Sequence, residues 1–347
     1  MNRVLERSRP KVSSASFFPV PDPGLIPDDE LAQLNERRDG PAWLQLGLHL
    51  MVLLAGLGLW GAPRLGWLFW PPLPWPLQIL GLLLLGWALA FAFCAMHECG
   101  HRTAFASRPV NDAVAWWAGV LSFYNADFYR RYHQWHHRWT HQPGLDPELA
   151  DPPPTSPGAY LLEISGLPWW LGKLQGHLRG LSADFSRSPY ISAEAAPAVA
   201  TSLRRQFALY GLLLLASLPG ANGAILWLWL LPLAVGQPLL RFVLMAEHQG
   251  CSFEPDALTN TRTTLTLAPL RRLMWNMPFH VEHHLYPSLP FHALARAHER
   301  LAPRLAHCAP GYLAVHRTLL TDLASLGLPA STTAATAATA ATAATAR

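Results

Sequence analysis

The sequence predicts an all-α integral membrane fold, with about four transmembrane helices and a cytoplasmic helical cap. Three observations predict it: 51% of the 347 residues are hydrophobic against 14% charged, four stretches are apolar enough to cross a bilayer, and the basic residues fall almost entirely on one side of those stretches. A soluble domain of this length would carry more charge.

The apolar stretches are 42–61, 76–96, 203–219 and 223–245. Lipid offers the backbone no hydrogen-bond partner, so each is expected to be a helix. The third is the shortest, and Pro232 and Pro238 are candidate kinks in the fourth. Of 26 basic residues, six precede the first stretch, ten lie from Arg102 to Arg205, nine run from Arg241 onward, and Arg64 alone falls elsewhere. Positive flanks are retained on the cytoplasmic side, which places both termini and the segment His97–Ser202 there, with two short turns on the far side. One turn, Trp67–Trp75, has the tryptophans of an interfacial aromatic belt. A further apolar stretch, Asn111–Tyr124, is too short to cross and is expected to lie along the interface or dip into it. The resulting organisation is a cytoplasmic N-terminal segment (1–41), a membrane domain (42–330) and an alanine and threonine tail (331–347), read as disordered because it has nothing bulky to bury.

Composition also excludes partners. The net charge of +4 is small and the basic residues form no continuous face, which argues against nucleic acid. Cys94, Cys99, Cys251 and Cys308 lie apart with no CxxC pair, which fits a reducing compartment. Met1–Pro23 lacks the apolar core of a signal peptide.

The chemistry lies in the histidines. Nine of the sixteen form a pattern: His97 and His101 directly after the second stretch; His133, His136 and His137; His280, His283 and His284; and His248 after the fourth stretch. On helices, spacings of three and four put imidazoles on one face, able to converge on a metal. The topology read from charge brings all of these segments to the same membrane face. Neutral imidazole suits iron, zinc, copper and nickel alike. A tetrahedral zinc takes about four ligands, so nine candidates suit two metals of higher coordination number.

With its HxxxH, HxxHH and HxxHH boxes, and with Asn276-Met277-Pro278-Phe279 before the third box and Leu285-Tyr286-Pro287-Ser288 after it, the chain resembles the membrane fatty-acid desaturases and hydroxylases over Pro76–His298. That resemblance implies two iron ions, O2 as co-substrate and external electrons. It implies the ligands His97, His101, His133, His136, His137, His248, His280, His283 and His284, with Asn276 as a ligand acting directly or through water. The first box carries Glu98 where the family often has aspartate, at a position not expected to bind iron. The resemblance of Asn276–Ser288 favours an O2-dependent acyl-lipid desaturase; a lipid or carotenoid hydroxylase or ketolase on the same centre is the alternative. Acyl-phospholipid, acyl carrier protein, acyl-CoA, sphingolipid and carotenoid all fit as substrates.

Other readings follow from particular residues. His97-Glu98-Cys99-Gly100-His101 also matches the HExxH motif of zinc proteases, in which the glutamate is the general base. Ala104 and Ser107 break the extended form of that motif, and no Asp or Glu from Gln206 to Ala246 offers a further ligand. Asp127, Asp146, Glu247 and Glu282 are candidates to orient ligand imidazoles, and His141 to support the second box. His49, His177, His292, His298, His307 and His316 stand singly and are read as structural or exposed. The chain shows no haem-binding cytochrome module and no CxxC pairs, so electrons are expected from a separate ferredoxin, rubredoxin or cytochrome. Arg130, Arg131, Arg271 and Arg272 are candidates to dock an acidic donor or a lipid headgroup, although the topology already accounts for them.

Overall fold

The computed structural model describes residues 24–64, 73–218, 223–323 and 326. The turn up to Pro72, the first 23 residues and the alanine and threonine tail lie outside the described residues.

The chain is helical almost throughout. A short α1 (Asp28–Leu34) precedes α2 (Asp39–Gly56), which runs on through a π-helical turn, Leu57–Gly61. Next come α3 (Trp75–His101), α4 (Arg108–Ser122) and α5 (Ala126–Trp139). They are followed by α6 (Pro157–Ile164), α7 (Leu167–Leu181) and α8 (Ala196–Ser217). A second π-helical turn, Leu226–Leu230, leads into α9 (Leu231–His248). The remainder is α10 (Ala257–Asn260), α11 (Ala268–Leu273), α12 (His280–Leu285), α13 (Leu294–Leu301) and α14 (Tyr312–Thr321). One departure from an all-helical expectation is a parallel pair of two-residue strands, β1 (Thr263–Thr264) and β2 (Cys308–Ala309).

Among the described residues three helices, not four, are long and apolar enough to cross a membrane: Asp39–Gly61, Trp75–His101 and Leu226–His248. The expected third crossing falls on α8, whose 22 residues include Arg204, Arg205 and Gln206; its apolar part starts only at Phe207. Both expected kinks sit at informative places. Pro232 follows the π turn within a continuous helix, where its missing N–H accompanies the local break in the α pattern, and Pro238 lies inside α9.

α3 is the axis of the molecule, packed against α2, α4 and α9. Glycines permit the close approaches. A Cβ on Gly236 of α9 would run into the Gly86 carbonyl of α3, and one on Gly86 would lie 2.5 Å from the Pro232 carbonyl. Small residues at such crossings let helix backbones touch where no hydrophobic force between helices is available. The outward faces carry exposed leucines, among them Leu44 and Leu54 on α2, Leu80 and Leu83 on α3, and Leu212 and Leu215 on α8. α4, expected as a dipping segment, doubles back alongside α3. Asp112 near its start pairs with Arg102 at the end of α3 (2.8 Å), Gly119 approaches Met96, and Tyr124 just beyond it meets Phe93 at 5.0 Å between ring centroids.

A second apolar core lies at the end of the molecule where α3 and α9 finish. It joins Leu25, Ile26 and Leu34 to Phe279, Leu285, Leu289 and Leu294, and so clamps the residues around the third histidine cluster.

Candidate metal centre

Three helices present the first imidazoles because their sequences start and stop where they do. α3 stays helical to His101 and is ended by Arg102 in the left-handed region (φ 62°), held there by bidentate bonds to Asp112 at 2.8 and 3.0 Å. α5 starts at Asn125, whose side chain caps the Phe128 N–H (3.0 Å) and donates to Ser202 and Gln206 of α8. α12 is fixed through Thr263: its hydroxyl donates to Glu282 (2.5 Å) and accepts from the Val281 N–H (3.2 Å), while its own strand pairs with β2.

All nine expected imidazoles come together, and they divide into two groups. His97, His101, His133, His137 and His283 form one; His136, His248, His280 and His284 form the other, with ligand atoms within 4.8 Å of one another in each. The split follows from helix geometry. Residues four apart (97 and 101, 133 and 137, 280 and 284) share a group, whereas neighbours in each His-His pair point about 100° apart and serve different groups. His137 and His284 stack across the divide at 4.2 Å.

The inward atoms are the Nε2 nitrogens. His137 Nε2 lies 3.0 Å from those of His133 and His283, and His280 Nε2 lies 3.1 Å from those of His248 and His284. With metal–nitrogen bonds of about 2.1 Å, adjacent ligand nitrogens stand ~3.0 Å apart around an octahedral metal and ~3.4 Å apart around a tetrahedral one. Groups of five and four ligand nitrogens suit two metals of high coordination number better than one tetrahedral zinc. His97 Nε2, buried without a hydrogen-bond partner, fits the same assignment.

Four of the outward nitrogens are held by the protein, which fixes those rings with Nε2 facing in. His136 Nδ1 donates to Asp146 at 2.9 Å, His248 Nδ1 donates to the Asn260 carbonyl at 3.1 Å, His284 Nδ1 meets the Thr140 hydroxyl at 3.1 Å, and His133 Nδ1 meets the Tyr129 hydroxyl at 3.3 Å. Burial, reinforced by neighbouring imidazoles, holds His133, His137, His280, His283 and His284 well below the ordinary 6.5, so these rings are neutral and ready to bind. His136 differs. Burial would lower it too, but the Asp146 carboxylate and then Glu148 override that and raise it to about 9.

The four acids proposed as orienting groups have separate fates. Asp146 does orient a box imidazole, and it is itself held by the His141 N–H, which gives His141 its supporting place. Glu247 stands 3.5 Å from the inward nitrogen of His280 and so faces the second group instead of backing a ring. Glu282 binds Thr263 and His298 (2.5 Å), not a box imidazole, and Asp127 pairs only loosely with Arg130 at 3.8 Å. Asn276, in the left-handed region at φ 55°, donates to the Phe291 carbonyl (3.0 Å) and ties the loop before the third box to the loop after it. Glu98 belongs to neither group: its carboxylate accepts from Thr103 (2.5 Å) and the Phe291 N–H (3.1 Å), a structural tie that leaves the protease reading without its base. Of the single histidines, His49, His298 and His316 make structural bonds to Ala88, Glu282 and Phe242.

Tyr129, Thr140 and Asn260 escaped sequence reasoning. Tyr129 sits four residues before His133 and was within reach of the same spacing rule; Asn260 acts through its carbonyl, to which any residue type is equivalent.

A cavity of about 400 Å³ adjoins the groups. Its wall includes Phe93, Tyr129 and His248 on the metal side, and Lys173 and Arg241, whose cations stand over Tyr124 (4.1 Å) and Trp169 (5.3 Å). Burial, with the charge of Arg241 adding to it, pushes Lys173 down to about 7.

Comparison with known proteins agrees with this geometry. The family model described as fatty acid desaturase matches residues 73–316. The sn-1 oleoyl-lipid 12-desaturase of Anabaena variabilis is 26% identical over 291 residues, covering 80% of this chain and 68% of that protein. A sphingolipid delta(4)-desaturase/C4-monooxygenase of Rattus norvegicus is 27% identical over 268 residues, 72% of this chain and 70% of its own length.

Proposed function

The chain belongs to the fatty acid desaturase family, and on that basis we propose that it is a membrane di-iron oxygenase introducing a double bond into an acyl lipid with O2 and external electrons. The observation that carries the reading is the division of nine imidazoles into a group of five and a group of four.

His97, His101, His133, His137 and His283 would hold one iron, and His136, His248, His280 and His284 the other, with the Glu247 carboxylate facing the second. When bound, the two irons supply the activation of O2 needed to take hydrogen from an unactivated methylene. The residues of this chain do the rest. Asp146, Tyr129, Thr140 and the Asn260 carbonyl fix ring orientation before any substrate arrives. The Asn276 amide nitrogen is engaged with Phe291, and its carbonyl oxygen is the atom that would reach the metal, directly or through a water. Phe93, Tyr129 and Met245 give the cavity an apolar wall where an acyl chain lies against the imidazoles, while Lys173 and Arg241 meet a polar head.

Four crossings with a cytoplasmic cap are part of this proposal, and the connectivity supports them. The π turn before α9 lies beside Trp60, whose indole donates to the Trp227 carbonyl, at the end of the bundle remote from the imidazoles. α8 starts on the imidazole side, bonded to Asn125. α8 lies between the two ends and would make the fourth passage, with its exposed leucines toward lipid.

The alternative is hydroxylation at the same centre, to which the relative whose name includes C4-monooxygenase lends weight. Expression in a host lacking desaturases, followed by mass spectrometry with double-bond localisation, separates the two: new alkenes support desaturation, and new alcohols without alkenes overturn it.

A further inference from the structure

Of the nine clustered imidazoles, eight are buried and one, His101, is partly exposed. It lies in an open cleft of about 470 Å³ whose other lining includes Arg37, Arg102, Arg108 and Arg130. These four guanidiniums come from the linker before α2, the turn after α3, the start of α4 and the middle of α5, so the patch is set by the fold and not by one basic run. Arg102 and Arg130 share a single carboxylate, Asp112, at 2.8 and 2.6 Å. Arg37 touches only the carbonyls of Asn35 and Ser288, and Arg108 has no acidic partner among the described residues. Asp127 adds a second carboxylate 3.8 Å from Arg130, and Asp39 accepts from the Ala106 N–H of the lining, so the unpaired charge is that of Arg37 and Arg108. Apart from Gly100 and Ala106 every lining residue is polar or charged, so an acyl chain finds no apolar wall here, unlike in the cavity beside α7.

We infer that this cleft docks an acidic one-electron carrier protein, with His101 as the edge at which the electron enters. The inference rests on the oxidation proposed above, which needs such a supply. Forming one double bond breaks two C–H bonds and reduces O2 to two waters, using two hydrogens from the substrate, two protons and two electrons, so a carrier must dock and be oxidised twice per turnover. Arg37 and Arg108, exposed and without an acidic partner among the described residues, steer an acidic partner and orient it over the partly exposed His101. Of the arginines singled out from sequence, only Arg130 lies here; Arg131 bonds the Asp127 carbonyl, and Arg271 that of Thr266.

The test uses the full chain in phosphatidylcholine nanodiscs, with an acidic [2Fe–2S] ferredoxin as probe and thermophoresis as the readout. Wild-type affinity is expected to fall by about tenfold between 50 and 200 mM salt, and the Arg37→Glu/Arg108→Glu variant to bind at least about tenfold more weakly with a flattened salt dependence, while Arg317→Glu behaves as wild type. On iron-loaded protein, reduction by the ferredoxin should slow in parallel while reduction by dithionite stays unchanged. Equal affinity in the double variant overturns the inference. So does unchanged ferredoxin binding with loss of turnover on an anionic lipid alone, which would make the cleft a headgroup site. Because docking is read without the metal, a chain that binds ferredoxin at this cleft but takes up no iron sinks the oxidation and leaves the docking site standing.

Discussion

Asp146 exerts more control over the candidate centre than its distance from the boxes suggests, because it holds both the tautomer and the basicity of His136. In the metal-free chain His136 is raised from 6.5 to about 9. Its charged form therefore contributes stability that is fully present below about pH 6.5 and is lost as the pH rises through about 9. Metal binding has the opposite sign, since the inward nitrogen must give up its proton. Iron affinity should rise from pH 7 to 9 with release of one proton, measurable by calorimetry in buffers of different ionisation enthalpy. Asp146→Asn should abolish that proton release and weaken iron binding by about 10- to 100-fold. An unchanged titration would remove Asp146 from the assignment. His136→Ala and His283→Ala, one from each group, should abolish turnover while the protein still inserts; normal activity in either would strike that residue from the ligand set.

At the scale of elements, two glycine sites give opposite expectations. Gly86 and Gly236 bring α3 and α9 into backbone contact, and these helices carry His97, His101 and His248. Gly236→Leu should separate them, costing about 1–3 kcal/mol or more and disrupting both groups together, seen as loss of bound iron and lower thermal stability. Gly172 and Gly176, on the α7 side of the cavity, have open space where a Cβ would be. Gly176→Leu should leave the fold intact, or stabilise the helix by about 0.5–1 kcal/mol, while reducing turnover on long acyl chains more than on short ones. A uniform loss across chain lengths would show that the cavity does not hold the acyl chain. The sequence told much of this level and missed some. The apolar stretches at 42–61, 76–96 and 223–245 correspond to long apolar helices because lipid burial depends on composition. The passage at 203–219 was blurred because α8 begins polar and ends apolar. Which imidazole serves which group was within reach, since adjacent residues on a helix diverge by about 100°. The cleft at His101 and the hold of Thr263 on α12 were not, because each joins segments far apart in sequence.

For the molecule as a whole, the orientation has a native reporter. Cys308 is exposed while Cys94, Cys99 and Cys251 are buried, and β2 carries Cys308 on the side where the imidazoles gather. A membrane-impermeant maleimide should label intact inside-out vesicles at Cys308 and leave right-side-out vesicles unlabelled. The reverse pattern would invert the topology. In the expected orientation the imidazoles would lie at one membrane face, with the His101 cleft opening on that face and the larger cavity on the α7 side.

Both imidazole groups draw on α12: His283 completes one, and His280 and His284 complete the other. α12 is in turn pinned by a strand whose partner is Cys308–Ala309. Neither group is complete, then, until synthesis has passed residue 284, and α12 is pinned only once residues 308–309 have been made and paired. If the groups hold the proposed irons, metallation would come late in biogenesis, and a chain cut short before β2 should insert yet fail to keep its metal.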